Sequence, residues 1–423
     1  MTLFSRSSAY STVTALAARR AVHGAFAWLH NHPQLLMDWQ KELVSIPAPP
    51  FGEQARSAWI SERFAEAGLA NVQTDSIGNV TCLLPASHLP AESTGPVIVI
   101  SAHLDTVFPV DTPLRPAITR TNGHTRLAAP GACDNACGVV GLLALAHALI
   151  EAKVKLAAPV IVLANVGEEG EGDLRGVRHF YGAGAFASRV AAHIVLDGAG
   201  ADSAVTQALG SRRFQVTING PGGHSFTDAG TPNPIAALAE ALSKLSQTPL
   251  PEDPRTTMNY GTIQGGTSVN SVPESASASI DFRSTNSSEL TRLEDALRHA
   301  VEEAVKQSNL VSGLIHLRSR GPLTFVIEKI GDRPAALLPA ESPILEALRA
   351  VDRHLGLRTD LRLGSTDANL PISLGIPSLS LGAGGEGSGA HTLAEWYSDH
   401  DRETGLRRVL LLTLAMTEWA AEQ

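Results

Sequence analysis

Residues 97–106 read VIVISAHLDT: four β-branched residues in a row, then His103 and Asp105. A short run rich in valine and isoleucine predicts a strand buried on both faces. Two more runs repeat the pattern. PVIVLANVGEEGEG sets Glu168 and Glu169 beyond a strand at 160–164, and HIVLDG sets Asp197 beyond one at 194–196. Residues 138–150, GVVGLLALAHALI, are apolar nearly all round, which predicts a buried helix between strands. Strands alternating with helices imply an α/β fold, a sheet with helices on both faces. In such sheets, residues beyond the carboxyl ends of the strands share one crevice.

Outward from this segment the pattern changes. Over 209–332, Phe214, Val216 and Ile218 alternate as in a strand. PNPIAALAEALSKL then reads as a helix, and MNYGTIQ and ASASIDFRS as strands. A second helix carries Leu290, Leu293, Leu297, Val301 and Ala304 at spacings of three and four, with Asn286 as its cap and Glu289 three residues on. A strand GLIHLRS at 313–319 would close the set. The order β-α-β-β-α-β is that of a ferredoxin-like α+β unit. From 333 to 423 the first pattern returns, with helix ESPILEALRAVDRHLG, strand IPSLSLG, a glycine-rich loop and a final helix. The expected organisation is one domain over 1–208 and 333–423, with 1–34 as an N-terminal extension, interrupted by an inserted domain over 209–332.

A chain of 423 residues suits two domains of ~100–200 residues each. The net charge of −9 argues against a nucleic-acid partner, since phosphate binding needs a basic face. No apolar run reads as a membrane span of ~20 residues. Three cysteines, Cys82, Cys133 and Cys137, are too few and too odd for a disulfide framework, which implies a reducing, cytoplasmic location. Cys133 and Cys137 flank Asp134 but lack the second pair that a thiolate zinc site needs, so they read as small buried residues at a helix start. Residues 1–37 contain arginine and serine but no acid, the composition of a transit peptide. Lacking a continuous apolar stretch, they read instead as an extension leading into a surface helix over AFAWLHNHPQLLMDWQKELVSI.

Imidazoles and carboxylates gather beyond the strands: His103, Asp105, Glu168, Glu169 and Asp197, joined by Asp134 in PGACDNACG and His391 in SGAHTLAEWY. Crowded carboxylates repel, and a cation is the natural compensation. The set supplies ligands for a pair of divalent metal ions and a carboxylate left over as a base, which points to metal-assisted hydrolysis. In His103-x-Asp105, residues two apart in a strand share a side, so Asp105 can accept the second N–H of the imidazole. Glu168 and Glu169 face opposite ways in extended backbone, so one can bind metal while the other stands off.

The ordered run SAHLDT, GACDNACG, GEEGEG, LDG, GGHS, GGTSVNSVPESA, GSTDAN and GAHTLAEW resembles the M20 family of di-zinc peptidases and amidohydrolases, from about residue 36 onward. The resemblance implies a mixed-sheet catalytic domain with helices on both faces and an inserted ferredoxin-like lid and dimerisation domain. It makes His103 and Asp197 ligands of one zinc, Glu169 and His391 ligands of the other, Asp134 the bridge, and Glu168 the general base, with Asp105 supporting His103. It gives His224 an oxyanion role, supplied by a partner subunit in dimeric members, and makes Asn270, Arg283, Ser365 and Thr366 substrate contacts. A helix N-cap reading serves Ser365 and Thr366 equally well. It also implies a cis peptide after Asp134, zinc with manganese or cobalt as alternatives, and a homodimer through the inserted domain. Where many members carry Lys or Met, this chain has Asn135, Ala136 and Cys137, which bears on local packing.

An Asp at 197, with IGDRPA, GSTDANLPISLGIP and AHTLAEWY, resembles the peptidase T-like, tripeptide aminopeptidase branch. The expected substrate is therefore a small peptide. The rivals are an N-acyl amino acid deacylase or carboxypeptidase on the same scaffold, and a non-catalytic metal-binding protein, which intact Glu168 and both histidines disfavour. Gly382, Gly384 and Gly387 satisfy G-x-G-x-x-G, but no apolar helix follows, so they read as a loop presenting His391.

Overall fold

The computed structural model describes residues 6–87, 95–315 and 320–423. The chain forms two compact units, Met1–Ala208 with Leu337–Gln423, and Leu209–Ala336.

In the first unit a mixed sheet runs, in spatial order, through Ala70–Thr74, Val80–Leu84, Val160–Asn165, Val97–His103, Val190–Leu196, Ser378–Leu381 and Ser203–Ala208. The four strands from Val160–Asn165 to Ser378–Leu381 are mutually parallel, with antiparallel neighbours on either flank. Every residue of Val97–His103 and of Val160–Asn165 is buried, as their β-branched, mostly apolar runs predict. Val97, Val99, Ile161 and Leu163 pack with Phe180 of the helix Arg175–Ala183. Helices Cys137–Glu151 and Arg402–Ala421 also pack on Val97–His103. Because the four middle strands are parallel, their carboxyl ends lie along one edge. His103 ends one strand and Asp197 follows another; Glu168 and Glu169 lie just beyond a third, and the fourth leads toward His391.

In the first unit the structure departs from the expected secondary structure in four places. The stretch read as one surface helix is two helices, Arg20–Asn31 and Pro33–Val44. Proline cannot continue a helix and disfavours helical backbone before it, and His32 accordingly sits at φ −120° and ψ 33°. The second helix buries Leu36, Met37, Trp39, Gln40, Leu43 and Val44, so it is a core element rather than a surface one. The described part of the expected N-terminal extension is also helical and packed: Ala9, Val13, Leu16 and Val22 are buried, and the helix Arg6–Ala17 lies against Pro343–Leu355 and Arg402–Ala421.

The segment Ala132–Glu151 does reach the length and apolarity of a membrane span, at 20 residues and mean hydropathy 1.6, but most of it is buried inside the unit as a core helix would be. Finally, the glycine-rich loop contains a hairpin. Glu386–Ser388 pairs with Trp396–Ser398, which joins His124–Ala128 and Ala117–Thr121 in a small antiparallel sheet. A Cβ on Gly387 would lie 2.4 Å from Cys133 Sγ, and one on Gly384 (φ 76°) 2.4 Å from the Arg402 carbonyl oxygen. These glycines permit close packing, and the following element is a strand rather than the helix a phosphate site needs.

The second unit is ferredoxin-like. Its sheet runs Thr256–Gly265, Ser275–Ser284, Gly210–Asn219, Thr324–Arg333, antiparallel throughout, with helices Pro234–Leu245 and Ser287–Ile315. Phe214, Val216, Ile218, Ile280, Phe282, Leu290, Leu293 and Leu297 fill the core. The fourth strand is not the expected 313–319. Residues 313–315 continue the long helix, 316–319 lie outside the described residues, and the strand is Thr324–Arg333. Asn286 does cap that helix, its Oδ1 accepting the Ser288 N–H at 2.8 Å. Glu289 pairs with Arg292 instead of reaching back to the cap.

Candidate metal centre

At the carboxyl edge of the parallel strands the side chains converge. Asp134 lies at the centre. Its Oδ1 is 3.1 Å from His103 Nε2, which is in turn 3.7 Å from Asp197 Oδ1. Its Oδ2 is 3.0 Å from His391 Nε2, itself 2.9 Å from Glu169 Oε1. One carboxylate thus faces two imidazole–carboxylate pairs, one through each oxygen. Donor atoms of His103, Asp134 and Glu169 all lie within 4.8 Å of one another.

The electrostatics fit a cation. Burial opposes a charge on His103, yet Asp105, Asp134 and Asp197 outweigh it and raise its pKa well above the ordinary value. Asp134 and Glu169 raise His391 to about 10. Burial opposes the Asp134 charge, but the two histidines hold its carboxyl well below the usual range. Asp134 Oδ1 is buried and forms no well-aligned hydrogen bond, even with His103 Nε2 close by. Lone pairs placed this way suit a metal ion better than a proton, and a nitrogen–oxygen donor set of this kind suits zinc, manganese or cobalt.

Supporting groups fix these candidate ligands. Asp105 is fully buried. Contrary to the simple strand argument, it lies beyond the end of its strand, and His103 Nδ1 is nearer its backbone oxygen (3.1 Å) than its carboxylate (3.6 Å). The carboxylate accepts instead the backbone N–H groups of Glu168 (3.0 Å) and Glu169 (2.8 Å). One residue thereby orients the imidazole through its backbone and the adjacent glutamates through its side chain. Glu168 itself is buried next to this anchor.

The peptide bond after Asp134 is cis. Asn135 donates to the Leu196 carbonyl (2.8 Å) and accepts the Gly198 N–H (3.2 Å), tying the Asp134 loop to the residues either side of Asp197. Cys137 Sγ donates to the Cys133 carbonyl, and all three cysteines are free and buried. The local packing at 135–137 is therefore closed by these hydrogen bonds.

Five further candidates lie outside this cluster. Thr366 is buried in a turn, accepting the Ala368 N–H and donating its own N–H to Asn369 Oδ1, which favours the local-turn reading; Ser365 precedes it, half-buried. His224 and Asn270 belong to the second unit. There the Gly223–His224 strand pairs with Ser271–Val272, and the Ser225 N–H donates to the Asn270 carbonyl. Arg283 does not join them. It stands eight residues beyond Ser275 in its strand, roughly 26 Å at ~3.3 Å per residue, and pairs with Asp281.

Sequence reasoning missed several supports. Glu395 accepts three N–H groups from the Asp134 loop. Arg56, fully buried, donates to the carbonyls of Leu104 and Ile46. Asp367 accepts from Asn165 at the strand end, and burial raises its pKa to about 7. Glu395, inside the quoted AHTLAEWY motif, and Asp367, inside GSTDAN, carried a signal, and Arg56 carried none.

The chain matches the model of peptidase family M20/M25/M40 over residues 99–415. Among curated proteins it is 29% identical to a probable carboxypeptidase of Aspergillus clavatus over 264 residues, 59% of this chain and 57% of that protein, so the match spans little more than half the relative's length. Among solved structures it resembles a tripeptidase from Staphylococcus aureus (TM-score 0.68, 20% identity, 92% of this chain and 99% of that one). It also resembles a dinuclear metal-binding peptidase from Bacillus subtilis (TM-score 0.61, 18% identity, the same coverage). With the family model spanning most of the chain, this protein belongs to peptidase family M20/M25/M40.

Proposed function

We propose that the protein is a two-metal aminopeptidase acting on di- or tripeptides. The observation that carries this reading is the division of Asp134, with one oxygen toward His103 and Asp197 and the other toward His391 and Glu169. Divalent cations held there, zinc or else manganese or cobalt, supply Lewis acidity that polarises the scissile carbonyl and makes a water acidic near pH ~7. Glu168, anchored by Asp105 and left out of both ligand pairs, takes the proton of the attacking water and returns it to the leaving amine. His224 donates to the developing oxyanion, and Asn270 and Arg283 hold the substrate. Asp at 197 favours the aminopeptidase branch. The free thiols favour a reducing, cytoplasmic location.

E168Q should keep its bound metal, measured by elemental analysis, and lose about 10²- to 10⁴-fold in kcat on a free tripeptide. Wild-type turnover in E168Q overturns the mechanism. A second reading, a carboxypeptidase or N-acyl amino acid deacylase, is favoured by the curated relatives, whose descriptions name probable carboxypeptidases. Comparing a free tripeptide with its N-acetylated form decides between them: an aminopeptidase rejects the blocked peptide, whereas preferred cleavage of it gives the second reading.

A further inference from the structure

Asp134 and His391 sit on unrelated elements, yet both must hold their places to a few tenths of an ångström if they are to share an ion. Glu395 links them. It stands four residues after His391, at the return of the hairpin. Its side chain is buried, at 1% exposure. Oε1 accepts the N–H groups of Cys133 and Asp134, both at 2.7 Å, and Oε2 accepts that of Gly131 at 2.8 Å. The Glu395 backbone oxygen also accepts the Ala129 N–H at 3.0 Å. The loop it grips has no slack on its other side: a Cβ on Gly131 would meet Thr106 Cγ2 at 2.8 Å.

A buried carboxylate costs free energy unless it is paired and hydrogen-bonded. Three N–H donors meet that need here, and the buried Arg56 guanidinium supplies the opposing charge. Arg56 itself holds the Leu104 carbonyl at 2.8 Å, between His103 and Asp105. Cation and anion therefore brace the chain on both sides of the ligand set.

We propose that Glu395 is a positioning residue that fixes Asp134 relative to His391 and so sets the spacing of the two cation positions; this rests on the two-metal reading above. It touches neither substrate nor ion. Its substitution should change how metal is held before it changes how peptide is bound.

The test titrates metal-free, full-length wild type, E395A and E395Q with Mn²⁺ in a calorimeter, alongside kcat and KM for a tripeptide. E395A should bind Mn²⁺ about 10- to 100-fold more weakly and lose kcat, with KM little moved. E395Q keeps an acceptor for Cys133 and Asp134 but turns an NH₂ toward the Gly131 N–H, so its loss should be smaller yet measurable. If E395A does not fold, E395Q carries the test alone. Wild-type Mn²⁺ affinity and kcat in folded E395Q or E395A, with only the melting temperature lowered, overturn the proposal and leave a purely structural role. A wild type that binds no second Mn²⁺ is a different result, and it overturns the two-metal reading together with this one.

Discussion

Asp105 organises a site through hydrogen bonds rather than by entering it. Two adjacent peptide N–H groups, those of Glu168 and Glu169, each end on a separate oxygen of one fully buried carboxylate. Burial opposes its charge, but His103 and these N–H groups outweigh burial and hold its pKa down. An amide at this position offers one acceptor oxygen and one donor NH₂. D105N must therefore set a donor against a donor, and we expect it to lose nearly as much as D105A, about 10- to 100-fold in kcat/KM. Tripeptide kinetics on the two variants check this; near-wild-type activity in D105N would show that only shape matters there. The proposed ligands His103, Asp134, Glu169, Asp197 and His391 were visible in the sequence because their chemistry is scarce and most follow apolar runs. Arg56, and the roles of Glu395 and Asn135, were not, because their partners are backbone groups that folding brings to them. Glu395 meets Gly131 across a separation of 264 residues. No local pattern encodes such a meeting, since a backbone N–H is the same at every residue.

At the scale of elements, the Val190–Leu196 strand contains a histidine that the proposed chemistry does not use. His193 is fully buried. Its Nε2 lies 2.7 Å from Ser101 Oγ and its Nδ1 2.9 Å from Tyr181 Oη, so the neutral ring is satisfied at both nitrogens. Burial lowers its pKa to about 3, against 6.5 for the free side chain. Between those values the unfolded chain binds the extra proton and the folded one does not. Stability from this residue is therefore complete above pH 6.5 and is lost as pH falls toward 3, by about 1.4 kcal/mol per pH unit within that window. H193Q, which can still donate and accept, should flatten the pH dependence. The measurement is the urea midpoint of both proteins at several pH values from about 4 to 7; parallel curves would assign the acid lability to other groups. Element types were legible where one rule dominates. Val97–His103 follows from β-branching, and Cys137–Glu151 from all-round apolarity. The failures came where rules compete. A helical period ran through Pro33, and proline won. GLI at 313–315 reads as a strand start, but those residues continue a 29-residue helix already under way.

For the whole molecule, the insertion showed in the sequence as a switch in hydrophobic pattern near residue 209 and its return after 333. What no pattern revealed is how the inserted unit spreads its candidate substrate residues. His224 and Asn270 stand together in a small two-stranded sheet just before the strand Ser275–Ser284, and Arg283 stands eight residues along that strand, roughly 26 Å from Ser275. A di- or tripeptide is far shorter than that. A single copy therefore cannot readily bring both groups onto one substrate through a rigid sheet, whereas two copies can exchange them. The strand Thr256–Gly265 offers the means. It is a sheet edge ten residues long, exposed from Asn259 to Gly265 apart from its pairing with Ser275–Ser284, with Ile263 63% exposed and no lysine or proline to guard it. Such an edge is normally covered, and a second copy is a fitting cover. We therefore expect a homodimer in which His224 acts in the partner's site. H224A and E168Q should each be inactive alone. Mixed in equal amounts and allowed to exchange subunits, they should recover about a quarter of wild-type activity, because half the dimers are mixed and each of those has one intact site. If His224 acts within its own chain, every mixed dimer lacks an intact site and the mixture stays as inactive as its parts. I263K provides the companion measurement: a buried lysine at the edge should shift the protein to monomer in light scattering and abolish the recovery.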